Sequence, residues 1–243
     1  MAAPARPAPL SLASPRRERV FYLAAAVASA GIVFVGFEHT WFLRFLYGLP
    51  PLPALIALHG VLFTAWVLLF VVQIGLVANK RTDIHRRLGV AGGVIAALMV
   101  IVGPLTAIAT TKPGYRPGPP TPLPFLTIPL FAMVVFGVLV LAALWYRKRP
   151  DIHKRLMLLA TFAILPAAVA RIPVALIAKN GPPAFYGVTD LLLLACVAFD
   201  TIAHRRLHPA YILGGLFVIA SHPLSLVVSN TAAWMTFAQW LTR

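Results

Sequence analysis

Ionisable side chains inside long apolar runs are the first candidates for chemistry, because charge is costly in an apolar environment. Six such residues lie in or at the end of these runs: Glu38, His39, His59, Arg171, Asp190 and His222. Near the centre of a membrane span, an Arg or Asp costs about 2.5–3.5 kcal/mol on insertion scales. Such groups therefore pair with one another inside the protein and often mark a binding site or a proton pathway.

Three kinds of site suit these residue types. The imidazoles of His59 and His222 are suitable axial ligands for a b-type haem, with Arg171 beside a propionate. His39, His59 and His222 form, together with Asp190, a candidate ligand set for zinc or iron. Three nitrogen ligands and an open coordination position would suit a membrane hydrolase. The third kind of site holds an anionic ligand or a quinone between Arg171 and a histidine. No H-E-x-x-H or C-x-x-C-H motif favours one of them.

A purely structural role for the same residues is the alternative. Arg171 and Asp190 are almost symmetric about the Asn180–Gly181 turn, so an ion pair across a helical hairpin is expected. His59 and His222 would then be neutral histidines that bond to backbone carbonyls. On this interpretation the chain is a non-enzymatic assembly or structural membrane protein.

The composition predicts a membrane protein. Of the 243 residues, 60% are hydrophobic and only 11% are charged, and the mean hydropathy is +0.87. A soluble domain needs more charge to cover its surface. The formal net charge of +15 does not indicate a nucleic-acid partner, because the basic residues lie in short loops between apolar runs. Cys196, the only cysteine, lies inside such a run, which excludes a disulfide framework and a thiolate metal cluster.

Seven apolar runs predict an all-α transmembrane helix bundle. The predicted spans cover about residues 20–38, 54–78, 88–110, 125–146, 156–178, 185–203 and 209–229. Residues 1–19 are expected to be a disordered basic tail, and residues 231–243 an interfacial tail that carries two tryptophans. Ala28-Ser29-Ala30 resembles a signal-peptidase site, but the apolar run continues beyond it, which favours an uncleaved first helix.

A basic motif occurs three times between the spans. Asp83–Leu88 returns almost unchanged as Asp151–Leu156, and Asp200–Leu207 is a looser copy. The aspartates are expected to cap the helices that follow, and the basic residues to orient the chain and contact anionic headgroups. A second hypothesis brings the histidines together as a metal, haem or proton-relay site, and a third makes the motifs a gating salt-bridge network. The residues of this predicted cluster are Asp83, His85, Asp151, His153, Asp200 and His204.

The distribution of basic residues predicts the topology. With seven spans, fifteen of the 21 Lys and Arg residues fall on the side of the repeats and five on the other side. Because positive charge is retained inside, the N-terminus and the repeats are expected in the cytoplasm and the C-terminus in the periplasm. The predicted location is thus a bacterial inner membrane. The predicted partners are the bilayer and its anionic headgroups at the basic turns.

One stretch of the chain resembles a known family. His59–Trp66, Gln73 and His85–Gly89 resemble the corresponding segments of an uncharacterised bacterial family of multi-pass membrane proteins, and the match extends through His153–Met157 and Arg171–Pro173. This resemblance implies the architecture and no particular activity. The histidines are also loosely similar to those of cytochrome b561-type dihaem proteins, which implies haem. The seven spans with outer His and Asp residues are similar to the progestin-receptor and alkaline ceramidase group, which implies a membrane hydrolase.

Overall fold

The computed structural model describes residues 15–116 and 118–243. Residues 1–14 lie outside the described part, and with them most of the predicted basic tail. The last residues of that tail are not irregular, because the first helix already begins at Pro15.

The described residues form ten α-helices and no strand. The helices are α1 (Pro15–Phe37), α2 (Ala54–Ala78), α3 (Thr82–Ala109), α4 (Thr127–Trp145), α5 (Pro150–Ile164), α6 (Pro166–Val169), α7 (Ala175–Asn180), α8 (Pro182–His204), α9 (Pro209–Ser229) and α10 (Ala232–Leu241). A π-helical turn, Glu38–Phe42, extends α1, and a 3₁₀ turn, Leu123–Leu126, precedes α4.

Seven helical segments are long and apolar enough to cross a membrane. They are Arg16–Phe42, Ala54–Ala78, Thr82–Ala109, Leu123–Trp145, Pro150–Val169, Pro182–His204 and Pro209–Ser229. The predicted all-α bundle of about seven spans is therefore confirmed. The orientation of the termini and the identity of the membrane stay predictions.

The fifth span is the central helix of the bundle. Its apolar window is 72% buried inside the protein, against 22–39% for the other six. It packs against α1, α4, α8 and α9, and its side chains Leu158, Leu159 and Phe162 lie in the main hydrophobic core. The outward surfaces of the other helices carry large exposed apolar side chains, such as Leu141 and Leu213, as expected for contact with lipid.

Glycine permits the closest helix contact with this central element. A Cβ atom at Gly36 would lie 2.2 Å from the backbone oxygen of Ala168, so α1 and α6 approach backbone to backbone. Small residues at helix interfaces commonly permit such approaches in membranes. This contact fixes the end of α1 beside the end of the fifth span.

Two boundaries differ from the prediction because of local sequence. α3 and α5 begin at Thr82 and Pro150, about six residues earlier than predicted, because the basic repeats are themselves helical. The fifth span was predicted to reach residue 178, but its last helical residue is Val169. Pro173 disfavours helical geometry at the residue before it, and α7 is a separate short helix.

The predicted helix caps are also wrong in detail. Asp83 and Asp151 are the second residues of their helices, and Arg81 and Arg149 precede those helices without a capping side-chain hydrogen bond. Each aspartate lies instead beside the arginine two residues before it, with 3.6 Å between the arginine Nε and the carboxylate in both copies.

The C-terminal segment forms α10, which packs on the 3₁₀ turn before α4. The indole Nε1 of Trp234 donates a hydrogen bond to the carbonyl of Leu123 at 3.2 Å. Phe237 and Trp240 remain exposed on the outer surface of this helix. This arrangement suits the predicted interfacial position, since aromatic rings accumulate at the membrane boundary.

Candidate functional site

Of the predicted outer-half residues, only Asp190 and His222 meet. The outer half is the half of the bundle remote from the basic repeats. Asp190 lies on α8 and His222 on α9, each about 10–12 Å along the helix axis from the remote end of its helix. The imidazole Nδ1 lies 2.9 Å from the carboxylate Oδ1. The approach lacks hydrogen-bond geometry, and both atoms are enclosed without a hydrogen-bond partner, so the contact is chiefly electrostatic.

The ring of His222 is held by its neighbours on α8 and α9. Tyr186 stacks on it, with ring centroids 4.1 Å apart and planes inclined by 15°. The Tyr186 hydroxyl donates to Ser225 Oγ at 3.1 Å, and Ser225 donates to the carbonyl of His222. His222 is buried, and none of the hydrogen bonds in the described part of the chain engages its Nε2. The arrangement therefore leaves one nitrogen of an oriented imidazole open for a ligand.

His59 occupies a different environment from His222. Its ring stacks on Phe63 of its own helix, with centroids 4.0 Å apart. Its Nδ1 is enclosed without a hydrogen-bond partner, so the expected bond from that nitrogen to a carbonyl is not formed. Within the described part of the chain, no ring contact joins His59 to His222. The predicted pair of axial ligands stays a prediction, because a haem between two axial imidazoles would itself keep their rings out of contact.

Arg171 does not pair with Asp190. Because the fifth span ends at Val169, Arg171 lies in the segment beyond the helix rather than inside it. Its guanidinium lies over the ring of Phe37, 4.6 Å from the centroid, and donates to the carbonyl of Ala167. The predicted ion pair across the hairpin is wrong because the symmetry argument assumed a continuous helix up to residue 178.

The predicted metal ligands are separated as well. His39 is exposed in the π-helical turn and makes an edge-to-face contact with Tyr47, at 4.2 Å between centroids. The Tyr47 hydroxyl donates to Glu38 at 3.1 Å. The set His39, His59, His222 and Asp190 is not among the described groups of three or more ligand atoms that approach one another.

A denser cluster lies at the opposite end of the bundle. Its centre is a buried, bidentate ion pair between Arg155 of α5 and Asp200 of α8. Arg155 Nη2 lies 2.8 Å from both carboxylate oxygens, and Nε lies 3.0 Å from Oδ2. The side chains are only 3% and 1% exposed. Arg155 also donates to the carbonyl of Asp151 at 2.7 Å. Both charges are thus removed from solvent and supplied with hydrogen bonds.

Glu18 connects this pair to α1. Its carboxylate forms an ion pair with Lys154 of α5 and lies 3.5 Å from Nε2 of His204. His204 Nδ1 donates to the carbonyl of Asp200 at 2.9 Å. The three helices α1, α5 and α8 are therefore joined by one set of contacts at this end.

His208 extends the same cluster to α9. It precedes Pro209, and its Nδ1 accepts a hydrogen bond from the backbone N–H of Ala210 at 3.2 Å, so it caps the helix. Nε2 lies 3.5 Å from the Asp151 carboxylate. Burial, together with the nearby Arg155 charge, lowers the pKa of His208 below its usual value, although Asp151 acts in the opposite direction. We call these seven residues the ionic network: Glu18, Asp151, Lys154, Arg155, Asp200, His204 and His208.

Two of the three predicted turn histidines converge. The rings of His85 and His153 are 6.3 Å apart between centroids and nearly perpendicular, at 83°. His153 Nδ1 donates to the carbonyl of Ala143 at 2.8 Å, which leaves Nε2 unprotonated in the neutral ring. His204 does not join them but belongs to the ionic network, and Asp83 is exposed beside Arg81.

The ionic network is a poor metal site despite its residue types. Ligand atoms of Glu18, Asp200 and His204 lie within 4.8 Å of one another. However, Lys154 and Arg155 already neutralise the two carboxylates, so a divalent cation would have to displace them. The arrangement suits helix fixation better than metal binding.

Sequence reasoning missed Glu18, Lys154, Arg155 and His208. One signal was present: the spacing His204-Arg-Arg-Leu-His208 is H-x-x-x-H. A helix with this spacing would place both rings on one face, yet α8 ends at His204 and α9 begins after His208. The two rings therefore turn to different carboxylates, Glu18 and Asp151.

Comparison with known proteins adds no relative. No family model, no curated protein and no solved structure matches this chain. The resemblance to a bacterial membrane-protein family therefore stays a prediction, and the function has to be inferred from the structure of this chain.

Proposed function

We propose that this integral membrane protein binds a redox cofactor in its outer half, b-type haem in the first place, through Nε2 of His222. One observation carries the proposal: Nδ1 of His222 faces the Asp190 carboxylate at 2.9 Å between two candidate spans. A metal-ligating histidine commonly directs its other ring nitrogen towards a carboxylate, which fixes its tautomer and raises its basicity. Ionisable residues at this depth are costly and commonly mark a functional site.

The proposed cofactor site involves fewer residues than the sequence predicted. His59 stacks on Phe63, and Arg171 lies over Phe37 beyond the end of the helix, so the proposal relies on His222 alone. Tyr186 covers one face of the His222 ring, so the cofactor approaches the edge that carries Nε2. The proposal assigns one protein ligand, His222, and expects His59 to be dispensable for cofactor binding.

The test is an absorption spectrum with metal analysis on protein purified from membranes in mild detergent. The wild type should show a Soret band that sharpens on reduction. His222→Ala should abolish the band, and His59→Ala, the matched control on α2, should keep it. Asp190→Asn should retain haem with a lower occupancy or a shifted band. A full band in His222→Ala would refute the assignment. Stoichiometric zinc or iron without a Soret band would favour a metal site instead.

A non-enzymatic assembly role is the second candidate, and the ionic network favours it. A buried bidentate pair with saturated hydrogen bonds fixes α5 to α8 and needs no ligand. Absence of both haem and metal in the spectrum and metal analysis would leave this role ahead. The third candidate, a metal-dependent hydrolase, has less support. Of its predicted ligands, His222 and Asp190 are in contact, but the described residues show no ligand group that adds His39 or His59 to them.

A further inference from the structure

A groove on the lipid-facing surface of the bundle lies between α1 and α8. It has a volume of about 310 Å³ and is lined almost entirely by apolar atoms. Small residues such as Ala28 and Ala195 form its walls, and Phe162 of the central helix contributes to its lining. Because α1 and α8 both belong to candidate spans, the groove opens towards the lipid phase.

The groove has the length of one membrane leaflet. On α1 it extends from Phe21 to Ile32, eleven residues, or about 16 Å at 1.5 Å per residue. The hydrocarbon core of a bilayer is about 30 Å thick, so one leaflet contributes about half of that. An extended hydrocarbon chain from the leaflet on the side of the basic repeats therefore fits along it.

Aromatic rings and charges lie at one end of the groove. Phe21 and Phe199 stack at 4.3 Å between centroids and close the gap between the two helices. One turn further along α1, Glu18 contacts Lys154 and His204, all partly exposed. The chain that leaves α8 adds two exposed cations in succession, Arg205 and Arg206.

The excess of positive charge at this end favours an anionic headgroup on the lipid that would occupy the groove. Glu18 is neutralised by Lys154, so the arginines that follow α8 remain to attract an anion. Anionic headgroups attract basic residues near the membrane surface by about 1 kcal/mol per Lys or Arg. A lipid whose phosphate lies at the level of the ionic network would place one of its acyl chains in the groove.

We propose that the α1–α8 groove is a binding site for one anionic phospholipid. One of its two acyl chains lies along the groove between Phe21 and Ile32, and its phosphate lies near Arg205 and Arg206. The site is independent of the proposed cofactor site at His222, and a lipid held there adds to the contacts between α1 and α8.

Native mass spectrometry of detergent-purified, delipidated protein tests this site. Phosphatidylglycerol and phosphatidylcholine with identical chains are the two probes, and phosphatidylglycerol should give the more abundant single adduct. Filling the groove with Ala28→Leu and Ala195→Leu should reduce that adduct about tenfold. The matched control is Ala220→Leu, which fills the separate groove of about 160 Å³ beside Phe131 and Phe217 and should change nothing.

The headgroup contact has its own variants. Arg205→Gln with Arg206→Gln should remove the preference for phosphatidylglycerol, whereas Arg86→Gln with Arg87→Gln, an exposed pair in the first repeat, should keep it. Equal adducts in the groove-filled protein and its control would overturn the site, and equal binding of both lipids by the wild type would overturn the headgroup assignment.

A second measurement needs no variant. Phosphatidylglycerol with a diazirine in its acyl chain should cross-link to peptides of α1 and α8. Cross-links restricted to the α4–α9 side would overturn the proposal, and displacement of the label by an isoprenoid quinone but not by phosphatidylglycerol would assign the groove to a different occupant.

Discussion

The two polar regions of this bundle differ in how fully their charges are satisfied. In the ionic network, Arg155 and Asp200 share several short hydrogen bonds, and neighbouring residues from α1 and α9 complete the set. In the outer half, the facing atoms of Asp190 and His222 have no hydrogen-bond partner. A saturated network stabilises one arrangement of helices, whereas buried polar groups without hydrogen bonds are costly and are candidates for a functional role. We therefore assign a structural role to the ionic network and a ligand-binding role to the region of Asp190 and His222.

The largest effect should come from breaking the buried ion pair. Arg155→Leu or Asp200→Leu leaves one buried charge without a partner, which typically costs about 3–5 kcal/mol. The double leucine variant should recover most of that loss, because a hydrophobic replacement of a buried pair is often tolerated. Thermal unfolding in detergent measures all three. A double variant as unstable as the singles would show that the pair has a role beyond mutual neutralisation.

The outer-half pair should matter much less for stability. Asp190→Asn is expected to cost no more than about 1 kcal/mol, because the pair forms no hydrogen bond in the described structure and lacks the bidentate geometry of the network. The same unfolding measurement applies, with Asp200→Asn as the matched carboxylate on the same helix. A loss as large for Asp190→Asn as for Asp200→Asn would remove the distinction between the two regions.

The pH dependence of stability should include a contribution from His208. Its pKa is lowered in the folded state by burial and by Arg155, against the opposing charges of Asp151 and Asp200. The unfolded chain then binds more protons, so this contribution is fully present above the unfolded pKa of about 6.5 and is lost as the pH falls towards the folded value.

The matched variant for this effect is His208→Asn, which keeps a capping oxygen and does not titrate. Wild type should lose stability relative to the variant below about pH 6.5, as measured by melting temperature. A constant difference between pH 8 and pH 5 would contradict a lowered pKa of His208 in the folded protein.

The smallest effect should come from the exposed pair of the first repeat. Arg81 and Asp83 are both well exposed, and such pairs contribute about 0–1 kcal/mol. Arg81→Ala should therefore leave the melting temperature almost unchanged at moderate salt. A shift comparable to that of Arg155→Leu would mean that the repeats stabilise the protein in a way the contacts do not explain.

Hydropathy was sufficient to predict the seven spans, because span length and composition depend only on local sequence. It could not place the end of the fifth span, since the apolar run continues through Pro173 although the helix ends at Val169. The error carried over to Arg171, whose predicted depth depended on that helix. Local pattern therefore predicted the elements, and prolines altered the position of one key residue.

The ionic network could not be predicted from the sequence, for a different reason. Arg155 and Asp200 are 45 residues apart, and their contact depends on the order of helices around the bundle. The three basic repeats also look alike but lie differently: Asp83 and Asp151 begin helices, whereas Asp200 lies in the last turns of α8. Sequence similarity between the copies thus concealed the buried role of the third.

The most direct test asks whether the ionic network is structural while the outer half binds the cofactor. It compares the absorption spectrum of the Arg155→Leu, Asp200→Leu double variant with that of His222→Ala. The account predicts that the double variant keeps the reducible Soret band of the wild type, because the ionic network only supports the fold, and that His222→Ala loses it. A band that survives in His222→Ala, or its absence from the wild type, would contradict the assignment of cofactor binding to the outer half.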